Sequence, residues 1–381
     1  MKIMVLGAGL VGGPMALDLV EDERFDVTAA DFSEDALAKL RGKNPEIATV
    51  RQDLSKPAEV SALVAGFDMV INAVPGCMGY ATLRAVIEAG KDVVDIAFFP
   101  EDPFTLSELA EEKGVTAIVD CGVAPGMSNL LVGHADHQLD QTDTVLIHVG
   151  GLPEKRSWPF EYKAAFSPAD VIEEYMRPAR YVENGTLVVR PALSDPEIID
   201  FPHVGGLEAF NTDGLRTLVT TIDAPNKKEK TLRYIGHIEQ MAVLREAGFF
   251  DKEEVEINGM RLRPLDLTSR LLFRSWKLEE GEVDLTVMRI SVEGKRDGKR
   301  IRYTYELFDR HDEATGIHSM ARTTGYTATV VARMLAEGLF TDKGVIVPEY
   351  IGKEKACVDF VLAGLAERGI TYDERIEELA S

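Results

Sequence analysis

A short apolar run, Lys2 to Leu6, breaks into Gly7-Ala8-Gly9-Leu10-Val11-Gly12 and then into Met15-Ala16-Leu17-Asp18-Leu19-Val20, whose spacing is helical. Few folds accommodate three glycines at this spacing between a strand and a helix. Gly7 permits a tight turn, Gly9 lets a phosphate approach the backbone, and Gly12 lets the helix pack close to the strand. The free N–H groups and the dipole at the helix start favour an anion there. The pattern predicts a parallel α/β unit that holds a dinucleotide pyrophosphate on Gly7, Gly9, Leu10, Val11 and Gly12.

The alternation of strand and helix continues. Phe25 to Ala30 reads as a strand ending in Asp31, about 20 residues beyond the glycines, where an acid accepts hydrogen bonds from the adenosine ribose. A carboxylate there repels a 2′-phosphate, and the following Phe32, Ser33 and Glu34 supply no arginine, so NAD is the expected cofactor. Glu46 to Val50 is a further strand. Asp53 after it faces the adenine or caps a helix. Asp68 to Ala73 enters a loop, Val74-Pro75-Gly76-Cys77-Met78-Gly79-Tyr80, placing Ala73, Val74, Pro75 and Tyr80 along the ribose and nicotinamide. Val93 to Ile96 and Ala117 to Val119 complete six strand-like runs. Asp95 stands at a strand C-terminus, where ligands of such sheets bind. It is either a functional group or a loop anchor. The expected fold class is α/β: a Rossmann-type doubly wound parallel sheet with an inserted α+β substrate domain.

A chain of 381 residues exceeds the roughly 250–300 that one core usually serves. The character changes after Asp120-Cys121-Gly122-Val123-Ala124-Pro125-Gly126-Met127. A helix from Ser128 to Gln138 follows. Its His134 and His137 lack a third ligand nearby, and no metal is expected. From Thr144 strands and turns dominate. Asn184-Gly185 and Asp297-Gly298 are hairpin signals. Ile301, Tyr303, Tyr305 and Leu307 alternate with polar residues, as one buried sheet face requires. Gly236–Ala247 and Leu265–Trp276 read as helices. Near Ser319 the pattern turns helical again, with Tyr326 to Leu335 rich in alanine and valine. The expected division is 1–124, a dinucleotide domain; 125–319, a substrate and oligomerisation domain; and 320–381, a segment returning to the first. A net charge of -22 leaves no basic surplus for nucleic acid or an anionic membrane. Three cysteines far apart, without CxxC spacing, give neither a disulfide framework nor a zinc ribbon. No stretch approaches the roughly 20 apolar residues of a membrane span. A cytoplasmic protein is expected, with an exposed sheet that makes a homodimer or homotetramer.

Candidate polar groups fall in four stretches of the second half: Gly150-Gly151-Leu152-Pro153 with Phe160-Glu161-Tyr162-Lys163; Glu174 to Arg180; Leu207 to Arg216; and Lys230 to His237, the last two mixing acids, arginines and a histidine with glycines. That mixture suits a zwitterionic substrate and equally suits surface ion pairs. Together with Gly122–Gly126 and Ser319-Met320-Ala321-Arg322-Thr323-Thr324-Gly325-Tyr326, these stretches resemble the saccharopine dehydrogenase superfamily, and within it the lysine 6-dehydrogenase branch. The resemblance runs to about residue 350. Ile235 departs from it where proline is expected. It implies amine–imine redox chemistry: oxidative deamination of the terminal amine of L-lysine or a related amino acid or diamine, with ammonia released and the semialdehyde cyclising. The alternatives are a saccharopine or carboxynorspermidine dehydrogenase, which joins amine and aldehyde reductively, and a non-catalytic NAD-binding protein. An ammonium must lose a proton before hydride leaves its carbon. His237, Asp95 and Glu208 are the candidates for that task. Arg180, Arg216, Arg233 and Arg322 are candidates for a substrate carboxylate. Thr212 and Asp213 stand in the same stretch, and Tyr162 and Lys163 carry over from the resemblance.

Overall fold

The computed structural model describes residues 1–164, 168–279 and 281–380. They divide into two compact units. The first comprises Met1–His137 and Ala321–Thr371, the second Gln138–Met320 and the chain from Tyr372 onward.

Along the chain come β1 (Lys2–Leu6), β2 (Asp26–Asp31), β3 (Ala48–Arg51), β4 (Met69–Asn72), β5 (Asp92–Asp95) and β6 (Thr116–Ile118). The second unit follows with β7 (Gln141–Pro153), β8 (Ala179–Glu183), β9 (Thr186–Arg190), β10 (Glu197–Phe201), β11 (Gly205–Asn211) and β12 (Asn226–Tyr234). After the small hairpin β13 (Val255–Ile257) and β14 (Met260–Leu262) come the long β15 (Asp284–Arg296) and β16 (Lys299–Arg310). Last are β17 (Gly344–Ile346) and β18 (Tyr372–Glu378).

The first unit is a seven-stranded sheet in the order β17-β6-β5-β4-β1-β2-β3. Its pairs are parallel. Ile3 to Leu6 and Val27 to Ala30 are buried throughout, as strands covered on both faces must be. The strand order reverses at β1, between β2 and β4. Ligands of doubly wound sheets bind at this switch point. A seventh strand joins the six expected. It is β17, three residues in register with β6, and its run of apolar residues is too short to register as a strand by periodicity. The stretch expected as a loop through Tyr80 is helical from Gly76, because Pro75 stands at the cap of the helix Gly76–Glu88.

The helix Ser319–Ala336 continues into the first unit. There Thr329 Oγ1 donates to Asp18, and Arg333 Nη1 donates to the same carboxylate at 2.7 Å. Gly325 lies where a β-carbon would stand 3.0 Å from Met15 Cγ. The segment expected to return as far as residue 381 leaves at Thr371. Residues Tyr372–Glu378 pair antiparallel with β16 instead, because alternation over so few, mostly charged residues carries no visible apolar face.

The second unit is a sheet in the order β10-β11-β12-β7-β15-β16-β18, with β8 joining β12 to β9. It is antiparallel except for the parallel pair β12–β7. Asn184-Gly185 and Asp297-Gly298 form two-residue turns with φ of 50° and 73°, and 54° and 75°, the positive values that such turns demand. The helices Pro168–Met176, His237–Glu246 and Pro264–Trp276 supply an apolar cluster around Tyr175, Phe210, Met241 and Trp276. Among the described residues no helix is long and apolar enough to cross a membrane.

Candidate functional site

In the first unit, the ends of β1, β2 and β4 meet at the glycine loop. Gly7 has φ of 99°, and a β-carbon there would lie 2.7 Å from Ala73 O. At Gly12 it would lie 2.1 Å from Gly7 O, so the helix cannot pack on this turn with any side chain. At Gly9 it would meet nothing within 4 Å. The turn is therefore closed behind and open in front, which fits a pyrophosphate on the loop. Leu10 is 55% exposed, and Val11 stands at the helix cap.

Asp31 is half-buried. Its Oδ2 accepts from the Ala8 amide at 2.8 Å and its Oδ1 from the Ser33 amide at 2.8 Å. The carboxylate is thus locked to the glycine loop, with lone pairs left for ribose hydroxyls. Beside it stands Arg51, a cation that sequence order hides. Arg51 is in register with Asp31 across β2 and β3, and its Nε donates to Phe32 O at 3.1 Å. Phe32 is 71% exposed.

The other cofactor candidates divide. Ala73 is half-buried at the end of β4, with its amide on Leu6 O at 2.9 Å, Val74 is buried and Pro75 exposed. Tyr80 lies one turn into its helix, with its hydroxyl 2.8 Å from Thr105 Oγ1 and its ring edge-on to Phe99. Asp53 is exposed. It accepts from Ser55 N and Oγ in a tight turn rather than capping a helix. Asp95 is fully buried: Asn72 Nδ2 donates to its Oδ2 at 2.5 Å, and the Ala97 amide to its Oδ1 at 2.6 Å. Arg322, placed in the first unit, donates through Nη2 to Arg368 O at 2.9 Å.

In the second unit, one face of β11 and β12 carries a buried polar tier. His237 is fully buried at the start of its helix. Its Nδ1 lies 2.7 Å from Phe160 O and its Nε2 2.8 Å from the Tyr175 hydroxyl. A carbonyl only accepts, so Nδ1 carries the hydrogen and Nε2 accepts. The Tyr175 hydroxyl in turn accepts from Arg233 Nε at 3.1 Å. Burial, and then the Arg233 charge, push the His237 pKa down to about 3. The ring is neutral. Arg233 is 2% exposed; its Nη2 bonds Glu174 Oε2 at 2.9 Å, and its guanidinium lies 4.6 Å from the Tyr162 ring centroid. Burial pushes Glu174 up against the pull of Arg233. The buried hydroxyl of Tyr162 has no partner among the described residues.

Next along the same face, Thr212 Oγ1 donates to Glu229 Oε2 at 2.6 Å, and the Gly214 amide donates to the same oxygen at 3.1 Å. Burial raises the Glu229 pKa to about 7, although both of those bonds act against it. Asp213 receives a bidentate pair from Arg180, at 2.8 and 3.0 Å. Arg216 is buried with φ of 53°. Burial and the Arg216 charge lower the pKa of neighbouring Arg177. Glu208, half-buried and in register with Arg233, accepts weakly from the Gly236 amide at 3.3 Å. Lys163 stands apart, with Nζ on Lys277 O at 3.1 Å and 3.3 Å from Glu282 Oε2.

The structure therefore assembles Tyr162, Arg233 and His237 into one cluster and Thr212, Asp213 and Arg180 into a second. Glu174, Tyr175 and Glu229 belong to them and went unnoticed in the sequence as individual groups. Strand alternation places Glu229, Thr231 and Arg233 on one face, and that was the available signal.

The saccharopine dehydrogenase NADP binding domain matches residues 3–118, and the saccharopine dehydrogenase C-terminal domain matches residues 122–370. The chain belongs to the saccharopine dehydrogenase family. It is 25% identical to a carboxyaminopropylagmatine dehydrogenase from Synechocystis sp., over 98% of this chain and 97% of that one. It is 28% identical to mouse (Mus musculus) mitochondrial alpha-aminoadipic semialdehyde synthase over 49% of this chain, a stretch spanning 21% of that larger protein. The fold is that of the apo saccharopine dehydrogenase (L-Glu forming) of Saccharomyces cerevisiae, with a TM-score of 0.79, 19% identity and coverage of 99% of both chains.

Proposed function

We propose that this family member is an NAD-preferring dehydrogenase that oxidises the terminal amine of L-lysine or a related amino acid or diamine, releasing ammonia. The observation that carries the cofactor choice is the Asp31 carboxylate, held by the Ala8 and Ser33 amides where a 2′-phosphate would meet its charge. Bound nicotinamide would supply the hydride acceptor. The chain's own residues must hold the amine and take its proton. Of the three acid–base candidates, Asp95 and His237 are fully enclosed and already bonded. Glu208 keeps partial exposure, and we assign the proton to its carboxylate, with His237 and Asp95 as positioning residues. Arg216, buried three residues beyond Asp213, suits the α-carboxylate, since a guanidinium pairs bidentately with that group, while the Arg180 fork is held by Asp213. An ammonium has no lone pair to assist hydride departure, so activity rises toward alkaline pH.

A second reading has support of its own. The full-length relative from Synechocystis is a dehydrogenase of carboxyaminopropylagmatine, which favours a secondary amine, and Arg51 beside Asp31 offers a cation for a 2′-phosphate. One assay separates the readings. Lysine, ornithine, simple diamines, saccharopine and carboxylated polyamines are each incubated with NAD+ or NADP+, and reduced cofactor and ammonia are both measured. Ammonia in step with NADH supports the first reading. Reduced cofactor without ammonia, from the secondary amines, replaces it with the second. The exposed Leu187, Val189 and Ile198 of β9 and β10 support a homodimer or homotetramer, which light scattering tests.

A further inference from the structure

The second unit carries one more group of ligand-type side chains, away from the clusters described above. β15 begins at Asp284 and β16 is followed by His311, so the hairpin ladder sets the two side by side: the His311 amide donates to Asp284 O at 2.9 Å. His318 immediately precedes the helix that starts at Ser319. One donor atom from each of the three lies within 4.8 Å of the other two. His311 Nδ1 and His318 Nδ1 are 3.3 Å apart, and His318 Nδ1 is 3.2 Å from Asp284 Oδ1.

We propose that Asp284, His311 and His318 form a site for a divalent transition-metal ion of the zinc class, with water in the fourth position. Two imidazole Nδ1 atoms at this separation cannot both direct a hydrogen at each other, so either one proton is shared or a cation replaces it. Ligands about 2.0–2.1 Å from a tetrahedral metal lie roughly 3.3–3.4 Å from one another, and the 3.3 and 3.2 Å edges of this cluster lie close to that. Two imidazoles and a carboxylate are the donor set that zinc and its neighbours accept. The carboxylate is also oriented as ligating carboxylates are. The amides of Ser319 and Met320 donate to Oδ1 and Oδ2 at 2.8 and 3.0 Å, and Asp284 is 1% exposed. Both histidines remain half-buried and reachable. The ion clasps the open end of the β15–β16 hairpin to the first turn of the helix Ser319–Ala336.

Full-length protein, dialysed against a chelator and returned to chelator-free buffer, is titrated calorimetrically with Zn2+ and spectroscopically with Co2+. The expected result is one equivalent bound per chain, a Co2+ spectrum of tetrahedral intensity, and a rise in Tm with metal. In His311→Gln and His318→Gln the affinity falls by more than the roughly 10–100-fold that loss of an outer-shell partner produces. His137→Gln, in the first unit, leaves it unchanged. Stoichiometric binding unaffected by either substitution overturns the site. So does a wild-type protein that binds Zn2+ no more tightly than a variant carrying both His311→Gln and His318→Gln, or a Co2+ complex with the faint spectrum of the hydrated ion. The Co2+ spectrum uses the unaltered chain, so it decides even if a variant fails to fold.

Discussion

At Asp31 two charges compete over one ribose position. The carboxylate opposes a 2′-phosphate, while Arg51 in register with it would welcome one. Hydrogen bonds to a charged group are worth about 1.5–3 kcal/mol, so Asp31→Ser lowers the ratio of kcat/KM for NAD+ over NADP+ by about 10–100-fold. Arg51→Ala moves the same ratio the other way, and steady-state kinetics with both cofactors read both effects. At Glu208, replacement by Gln keeps the shape and removes the base. A positioned base contributes about 10²–10⁴, so kcat falls by that order while KM changes little; a pure KM effect makes Glu208 a binding residue. At Glu229 the sign of the pH effect is fixed by its raised pKa of about 7. Between the unfolded value of about 4.5 and 7, the native state holds the extra proton. Stability from this group is full below that window and is lost as pH rises through it, by about 1.4 kcal/mol per unit. Glu229→Gln is free of that loss. Urea titrations at several pH values therefore show wild type falling behind the variant by about 3 kcal/mol above pH 7.

The helices Gly12–Val20, Ser319–Ala336 and Lys355–Glu367 meet through one carboxylate. Asp18 takes Arg333 Nη1 and, just beyond the third helix, Arg368 Nε, each at 2.7 Å. All three side chains are less than one-fifth exposed. Asp18→Ala leaves two cations without it, which costs about 3–5 kcal/mol for a buried pair and lowers the denaturant midpoint accordingly. Such a joint is invisible in the chain, because the partners lie more than 300 residues apart. What the chain does show is local. The glycine loop, the two hairpin turns and the alternation in β16 each follow from neighbours within a few residues, and each has its counterpart in the structure. The short β17 and the charged β18 lack any such local mark. Their strand character comes from β6 and β16, the partners they join.

For the molecule as a whole, the family assignment, the parallel sheet and the second mixed sheet were legible because motif glycines and apolar periodicity are properties of sequence. The candidate site was legible as stretches, and its pairings were not. Arg180 meets Asp213, and His237 meets Tyr175, only because two strands and two helices bring distant segments to one face. The cluster of Asp284, His311 and His318 is hidden in the same way, since a hairpin ladder rather than a spacing motif assembles it. The proposed reaction is the departure of hydride from an amine carbon to NAD+. Its most direct measurement is kcat/KM for L-lysine with NAD+, followed by absorbance of the reduced nicotinamide, from neutral to alkaline pH. The expected result is turnover that rises with pH, exceeds that with NADP+, and is matched mole for mole by ammonia. No reduction of NAD+ by lysine, ornithine or diamines at any pH, alongside rapid oxidation of saccharopine or a carboxylated polyamine, would contradict it.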